Sequence, residues 1–290
     1  MSKYQPIFWD LVLLASLFST SWALAAPNST PERLITTAAQ LRAARLVQSA
    51  AKLPAVYPTT IKSVTTNAII WADDTSMPLG TNAIPKTLTE QLEQPTLSDQ
   101  LTQAPYHAGP LTQAPTTDPG RIRYEPFFRK MYGDDPAAVE IQLETVAWLP
   151  KIFGAYTYCL RVTRVNQVHE KIQAISQELE ELVLREPDYL IYLCRPGGTY
   201  NWRKIANTNR LSNHSFGMTL DINPALSQYW QWDLAADQRE ISETALLTYR
   251  NTVPWAIVEI FEKYGFIWGG KWQHYDTMHF EYRPELFNTR

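Results

Sequence analysis

Apolar positions in the second half of the chain recur at two periods. Val168, Ile172, Ile175, Leu179 and Leu182 repeat at helical spacing behind Asn166, a residue type suited to capping a helix. A second helical stripe of Ala256, Ile257, Ile260, Phe261 and Tyr264 begins near Pro254, and Gly265 is well placed to end it. Tyr189 to Cys194 reads as a strand. Met218 to Asn223 and Thr277 to Tyr282 alternate apolar with polar, as half-buried strands do. Helices mixed with short antiparallel strands predict an α+β domain, a small antiparallel sheet with flanking helices.

The first 120 residues have a different texture. Thr30 as N-cap, Pro31 at the first helical position and an Ala/Leu-rich run to Lys52 predict one helix. A β-like stretch follows at Ala68 to Trp71, and residues 78–119 are rich in Pro, Thr and Gln. Leu101 to Pro105 recurs as Leu111 to Pro115, a local duplication rather than a solenoid period. Residues 26–120 thus read as a proline-rich N-terminal extension that packs on, or tethers, a domain over 121–290, which is expected to fold without it. Residues 1–25 read as a secretory signal peptide: Lys3, an apolar run from Leu11 to Phe18, then Ala23-Leu24-Ala25 for cleavage. The alternative is an uncleaved anchor, but the apolar run falls short of the ~20 residues of a span. No other segment has the character of a span, so the expectation is an exported protein, in the periplasm or at the cell wall.

Composition narrows the function classes. Of 290 residues, 45% are apolar and 19% charged, an ordinary globular balance. A net charge of -3 gives no electrostatic ground for a nucleic-acid partner. Twenty prolines against eleven glycines favour extended connections over loose linkers. The two cysteines, Cys159 and Cys194, suit a disulfide or two buried small side chains, and neither lies in a CxxC.

The chemistry concentrates in Ser212 to Asp221 and Asp276 to Tyr282. In the first strand Met218, Leu220 and Ile222 share one face and Thr219, Asp221 and Asn223 the other. In the second, Met278, Phe280 and Tyr282 oppose Thr277, His279 and Glu281. If the strands are neighbours, Asp221 and His279 converge. His214 lies just before its strand, and Gly217 allows the bend that brings its ring to the same point. Two imidazoles and a carboxylate are a recurring catalytic zinc set, with the fourth tetrahedral position left for water. A general base is still needed, and Asp276 is the natural candidate if it occupies the turn before the strand. Singly, each residue has an ordinary structural reading; the joint parity points to a site.

These segments resemble a known family. Ser-x-His-x-x-Gly-x-x-x-Asp followed by Asp-x-x-His-Phe-Glu looks like the peptidoglycan zinc peptidases, among them VanY-like D-alanyl-D-alanine carboxypeptidases, D-Ala-D-Ala dipeptidases and L-alanyl-D-glutamate endopeptidases. The resemblance covers roughly residues 121–290. It implies a D-Ala-D-Ala peptidase/hedgehog-like fold, Zn2+ held by His214, Asp221 and His279, Asp276 as base, and a peptidoglycan peptide as substrate. Tyr264 to Trp272 resembles the Gly-Phe-x-Trp-Gly-Gly-x-Trp element of the endopeptidase branch, which implies cleavage between L-alanine and D-glutamate. Release of a terminal D-alanine is the alternative. Lys271 is the basic residue beside the second motif available to a carboxypeptidase for a terminal carboxylate, and the endopeptidase reading accommodates it equally.

One departure stands out. The family's arginine, in a Tyr-Arg-Ser context upstream of the first motif, is absent. Arg203 and Arg195 are the candidates for steadying the carbonyl oxygen, with Arg210 a third and a surface salt bridge the ordinary reading of all three. Trp268 and Trp272 read as groove-lining or as core aromatics. His274 is kept outside the ligand set, as an exposed loop histidine. The rival class, a non-catalytic wall-binding zinc protein, is disfavoured because all three ligands and the base are present.

Overall fold

The computed structural model describes residues 31–80, 86–234 and 243–287, so the expected leader and the Thr30 cap lie outside the described residues. The chain divides into Met1–Ala38 and Ala39–Arg290, and the described residues of the first unit are the opening of helix Pro31–Val56. Strands β1 (Ile61–Val64), β2 (Ala68–Trp71) and β3 (Ser76–Pro78) form an antiparallel meander. A hairpin pairs β4 (Leu143–Trp148) with β5 (Tyr158–Thr163). The third sheet holds β6 (Thr219–Asp221), β7 (Phe266–Trp268) and β8 (His279–Tyr282), with β8 central and antiparallel to both neighbours. The architecture is α+β.

The two amphipathic stripes become helices Val168–Arg185 and Trp255–Lys263, and both bury them. Ile172, Ile175 and Leu179 on the first, and Ile257 and Phe261 on the second, are at most 1% exposed. Phe261 stacks on Phe280 of β8 at 3.8 Å between ring centroids, which fixes the helix against the back of the third sheet. Gly265 follows at φ +82, a left-handed turn that an L side chain resists.

Two local expectations are corrected. Tyr189 to Cys194 is helical, a 3-10 turn at Pro187–Tyr189 running into helix Leu190–Leu193. A short apolar run without alternation fits strand or helix, and Pro187 at a first helical position decides for helix. Asn166 does not cap the long helix: it sits at φ +55, and its Oδ1 accepts from the Thr59 and Thr60 hydroxyls at 3.3 and 3.2 Å. Cys159 and Cys194 are free thiols.

Residues on both sides of position 120 share one core. Leu53, Tyr57, Ile69, Trp71 and Leu97 belong to the same buried cluster as Phe127, Leu220 and Phe280. Trp71 and Phe127 lie 5.6 Å apart by ring centroid, and the Tyr57 hydroxyl donates to Glu285 at 2.5 Å. The proline-rich stretch braces the third sheet as well. Trp272 Nε1 donates to the Pro119 carbonyl at 2.6 Å, and the Trp268 amide donates to the Tyr106 hydroxyl at 3.1 Å. We therefore expect Trp71→Ala to destabilise the whole molecule by about 3–5 kcal/mol, as truncation of a buried aromatic does. Denaturant unfolding checks this; a loss under about 1 kcal/mol would show that the first half is peripheral. The shared core replaces the expectation that residues 121–290 fold alone: such a fragment is expected to be insoluble, and a folded, active fragment would restore that expectation.

Candidate metal centre

β6 and β8 pair with Asp221 directly opposite His279, Leu220 opposite Phe280 and Thr219 opposite Glu281. That register puts the apolar stripe into the core and brings the two ligand side chains together on the other face. His279 Nδ1 lies 3.0 Å from Asp221 Oδ1. His214 arrives from the 3-10 turn Asn213–Phe216, which Ser212 caps and which ends at Gly217. Gly217 has φ +63, a left-handed conformation that L side chains rarely adopt, so the turn favours glycine. His214 Nε2 is 3.2 Å from the same Asp221 oxygen. One ligand atom from each of the three residues falls within 4.8 Å of the others.

The surrounding groups fix which nitrogen each ring presents. His214 Nδ1 is 2.8 Å from the Thr199 carbonyl, which only accepts, so Nδ1 carries the proton and Nε2 is left for a metal. His279 Nε2 is 3.2 Å from Glu281 Oε2. Glu281 is fully buried, and burial alone would raise its carboxyl; Arg123, the His279 hydrogen bond and Arg283 instead hold it well below the usual carboxylate range. It therefore accepts from Nε2–H and turns Nδ1 toward Asp221. Burial would likewise raise Asp221, yet His214 and His279 hold it well below its ordinary value. Burial would depress His279, but the hydrogen bonds to Asp221 and Glu281 outweigh it and raise the ring above its ordinary value, so a metal at Nδ1 would displace a proton. Two imidazoles and one ionised carboxylate, each second nitrogen already bonded, are the donor set that zinc takes.

Asp276 occupies the turn before β8, as parity requires, and its amide donates to the Gly269 carbonyl at 3.1 Å. A Cβ on Gly269 would come within 2.5 Å of the Asp276 carbonyl, so the glycine pair of the Trp268 to Trp272 element lets this turn close. Asp276 Oδ1 is buried without a hydrogen-bond partner among the described residues. Burial, then the Asp221 charge, raise the Asp276 carboxyl to about 6, against His279, His214 and Arg123. An unpartnered acceptor beside the ligand set is what a metal-bound water would satisfy.

A cavity of about 270 Å³ opens over these groups. His214, Asp221, His279 and Asp276 line it, with Trp272 and Arg203. Trp268 does not: it is 2% exposed, with Nε1 donating to the Thr277 carbonyl at 2.9 Å, and belongs to the core. Arg195, at φ +58 after helix Leu190–Leu193, is also absent from the lining. Its placement followed from reading that helix as a strand. Arg203 stands exposed on the cavity rim, and Arg210 lines the cavity too. His274 is 1% exposed rather than a surface residue, with Nδ1 2.7 Å from Asp118 Oδ2. Lys271 is spent in the interior, donating to Glu262 Oε1 at 2.6 Å and to the carbonyls of His107 and Gly109 at 2.8 and 2.6 Å.

Among the cavity residues that escape a reading centred on the motifs are Arg121 and Arg123. The signal was present as alternation: Ile122 between them is 7% exposed in the core, which turns both arginines to the opposite side. No curated protein and no solved structure matches the chain. A family model described as D-alanyl-D-alanine carboxypeptidase matches residues 206–282, a stretch that contains His214, Asp221, Asp276 and His279 and leaves the first 205 residues outside it.

Proposed function

We propose that the protein is a zinc-dependent peptidase acting on the stem peptides of peptidoglycan. The observation that carries this is the convergence of His214, Asp221 and His279 in one cavity with Asp276, whose Oδ1 has no hydrogen-bond partner among the described residues, inside the matched stretch. A zinc ion held by the three ligands would acidify its water and polarise the scissile carbonyl. Asp276 takes the proton and hands it to the leaving amine; its raised pKa suits a group that accepts and releases a proton near neutrality. For steadying the carbonyl oxygen, the role expected of an upstream arginine, the reading takes Arg203, an exposed residue of the cavity lining. Such a substrate lies outside the cytoplasm, in keeping with a leader over residues 1–25. No helix among the described residues is long and apolar enough to cross a membrane.

The bond we favour is L-alanyl–D-glutamate, on the resemblance of the Tyr264 to Trp272 element to the endopeptidase branch. The carboxypeptidase reading has its own support in the description of the matching family and in the arginines of the cavity. A defined stem pentapeptide, digested and read by mass spectrometry, separates them. Cleavage after L-alanine is expected. Release of free D-alanine with that bond intact would assign the carboxypeptidase activity, and no cleavage at either bond would refute the peptidase.

The pH profile gives a second check. Asp276 works as a base only when ionised, so kcat/KM is expected to fall on the acid side, with an apparent pKa no higher than about 6, since zinc's positive charge lowers it. The residual activity of Asp276→Asn should lack this limb; a limb unchanged in that variant would move the base elsewhere.

A further inference from the structure

Arg121, Arg123 and Arg210 line the metal cavity and also a neighbouring cavity of about 260 Å³, so they form part of the wall between the two. Their charges are unequally matched. Arg121 is fully engaged, with Nη1 donating to Asp118 at 3.0 Å and to Glu243 at 2.9 Å and Nη2 to Glu243 at 3.0 Å. Arg123 gives Nη2 to Glu281 Oε2 at 2.6 Å, while its Nε is buried without a partner among the described residues. Arg210 Nε lies 3.3 Å from Glu93 Oε1 but out of line for a hydrogen bond, and it too is buried unpartnered. Burial, then the charge of Arg121, holds Arg210 below its ordinary value, with Arg123 adding to the effect. A guanidinium does not shed its proton in a protein, so this wall carries two buried N–H donors, Arg123 Nε and Arg210 Nε, that the described residues leave without a hydrogen-bond partner. A carboxylate is the group whose two oxygens match the fork.

We propose that Arg123 and Arg210 bind a carboxylate on the substrate residue that supplies the leaving amine. The proposal rests on the peptidase reading and names what that site selects. An α-carboxylate on this residue lies three bonds from the scissile carbonyl carbon, so its site must border the metal cavity, as these arginines do. Arg123 is one carboxylate away from the ligand set, since Glu281 Oε2 accepts from Arg123 at 2.6 Å and lies 3.2 Å from His279 Nε2. Both candidate bonds meet the requirement. A terminal D-alanine carries its α-carboxylate, and a D-glutamate joined onward through its side chain keeps its own free. The selected feature is thus a free α-carboxylate next to the cut.

The test compares the stem pentapeptide with a copy amidated at the α-carboxylate beside the cleaved bond, using zinc-loaded full-length protein. Amidation is expected to lower kcat/KM at least tenfold. Arg210→Gln should lower the rate on the acid form by a similar factor, so that the acid-to-amide ratio falls toward one. Equal cleavage of acid and amide by the unmodified protein would overturn the proposal without any variant, as would an intact ratio in a folded Arg210→Gln. Calorimetric binding of the pentapeptide and of a copy amidated at both α-carboxylates separates this from the peptidase reading. If nothing is cleaved but the acid binds at least tenfold tighter, and Arg210→Gln erases the difference, the carboxylate site stands and the peptidase falls. Equal binding without cleavage overturns both.

Discussion

Asp276→Asn is expected to keep its zinc and lose about 10²–10⁴ in turnover, the usual worth of a general base. The substitution preserves shape, so the turn held by the Gly269 carbonyl and the register of β8 should persist. What it removes is the capacity to take a proton at the buried oxygen that has no partner. Steady-state kinetics on a stem peptide, beside metal content of the same sample, checks the prediction. Undiminished turnover would transfer the role to another group. Loss of metal along with activity would show Asp276 acting through the site's assembly.

Residue parity made much of this centre legible before any coordinates. Met218, Leu220 and Ile222 are at most 0% exposed and Phe280 equally so, and burying these stripes forces Asp221 and His279 onto a common face. A one-residue slip would have reversed every side chain, so the polar pair followed from the apolar ones. Where no such constraint acts, the reading failed. Tyr189 to Cys194 has no alternation, and its helix draws on Pro187 and on Trp148 Nε1 capping the Leu193 carbonyl at 2.9 Å. Trp268 and Trp272 look alike in sequence and both are buried, but only Trp272, which follows the Gly269–Lys271 turn, lines the cavity, while Trp268 lies within strand β7. Arg121 and Arg123 come from about ninety residues upstream of His214, joined to it only by tertiary packing. The contribution of the proline-rich stretch was hidden for the same reason: its carbonyls and Asp118 make contacts 153 and 156 residues away in sequence.

The central claim is that His214, Asp221 and His279 hold one zinc ion. His279→Ala removes one donor together with its hydrogen bonds to Asp221 and Glu281, so metal affinity should collapse. A ligand that binds only the folded state stabilises it by about 4 kcal/mol at a thousandfold excess over its dissociation constant. Zinc should therefore raise the Tm of the unmodified protein and leave that of His279→Ala unmoved. The direct measurement is elemental analysis of both proteins after purification, each shown to be folded by circular dichroism. One zinc per chain in the unmodified protein and none in His279→Ala is the predicted result; equal zinc content in the two would contradict it.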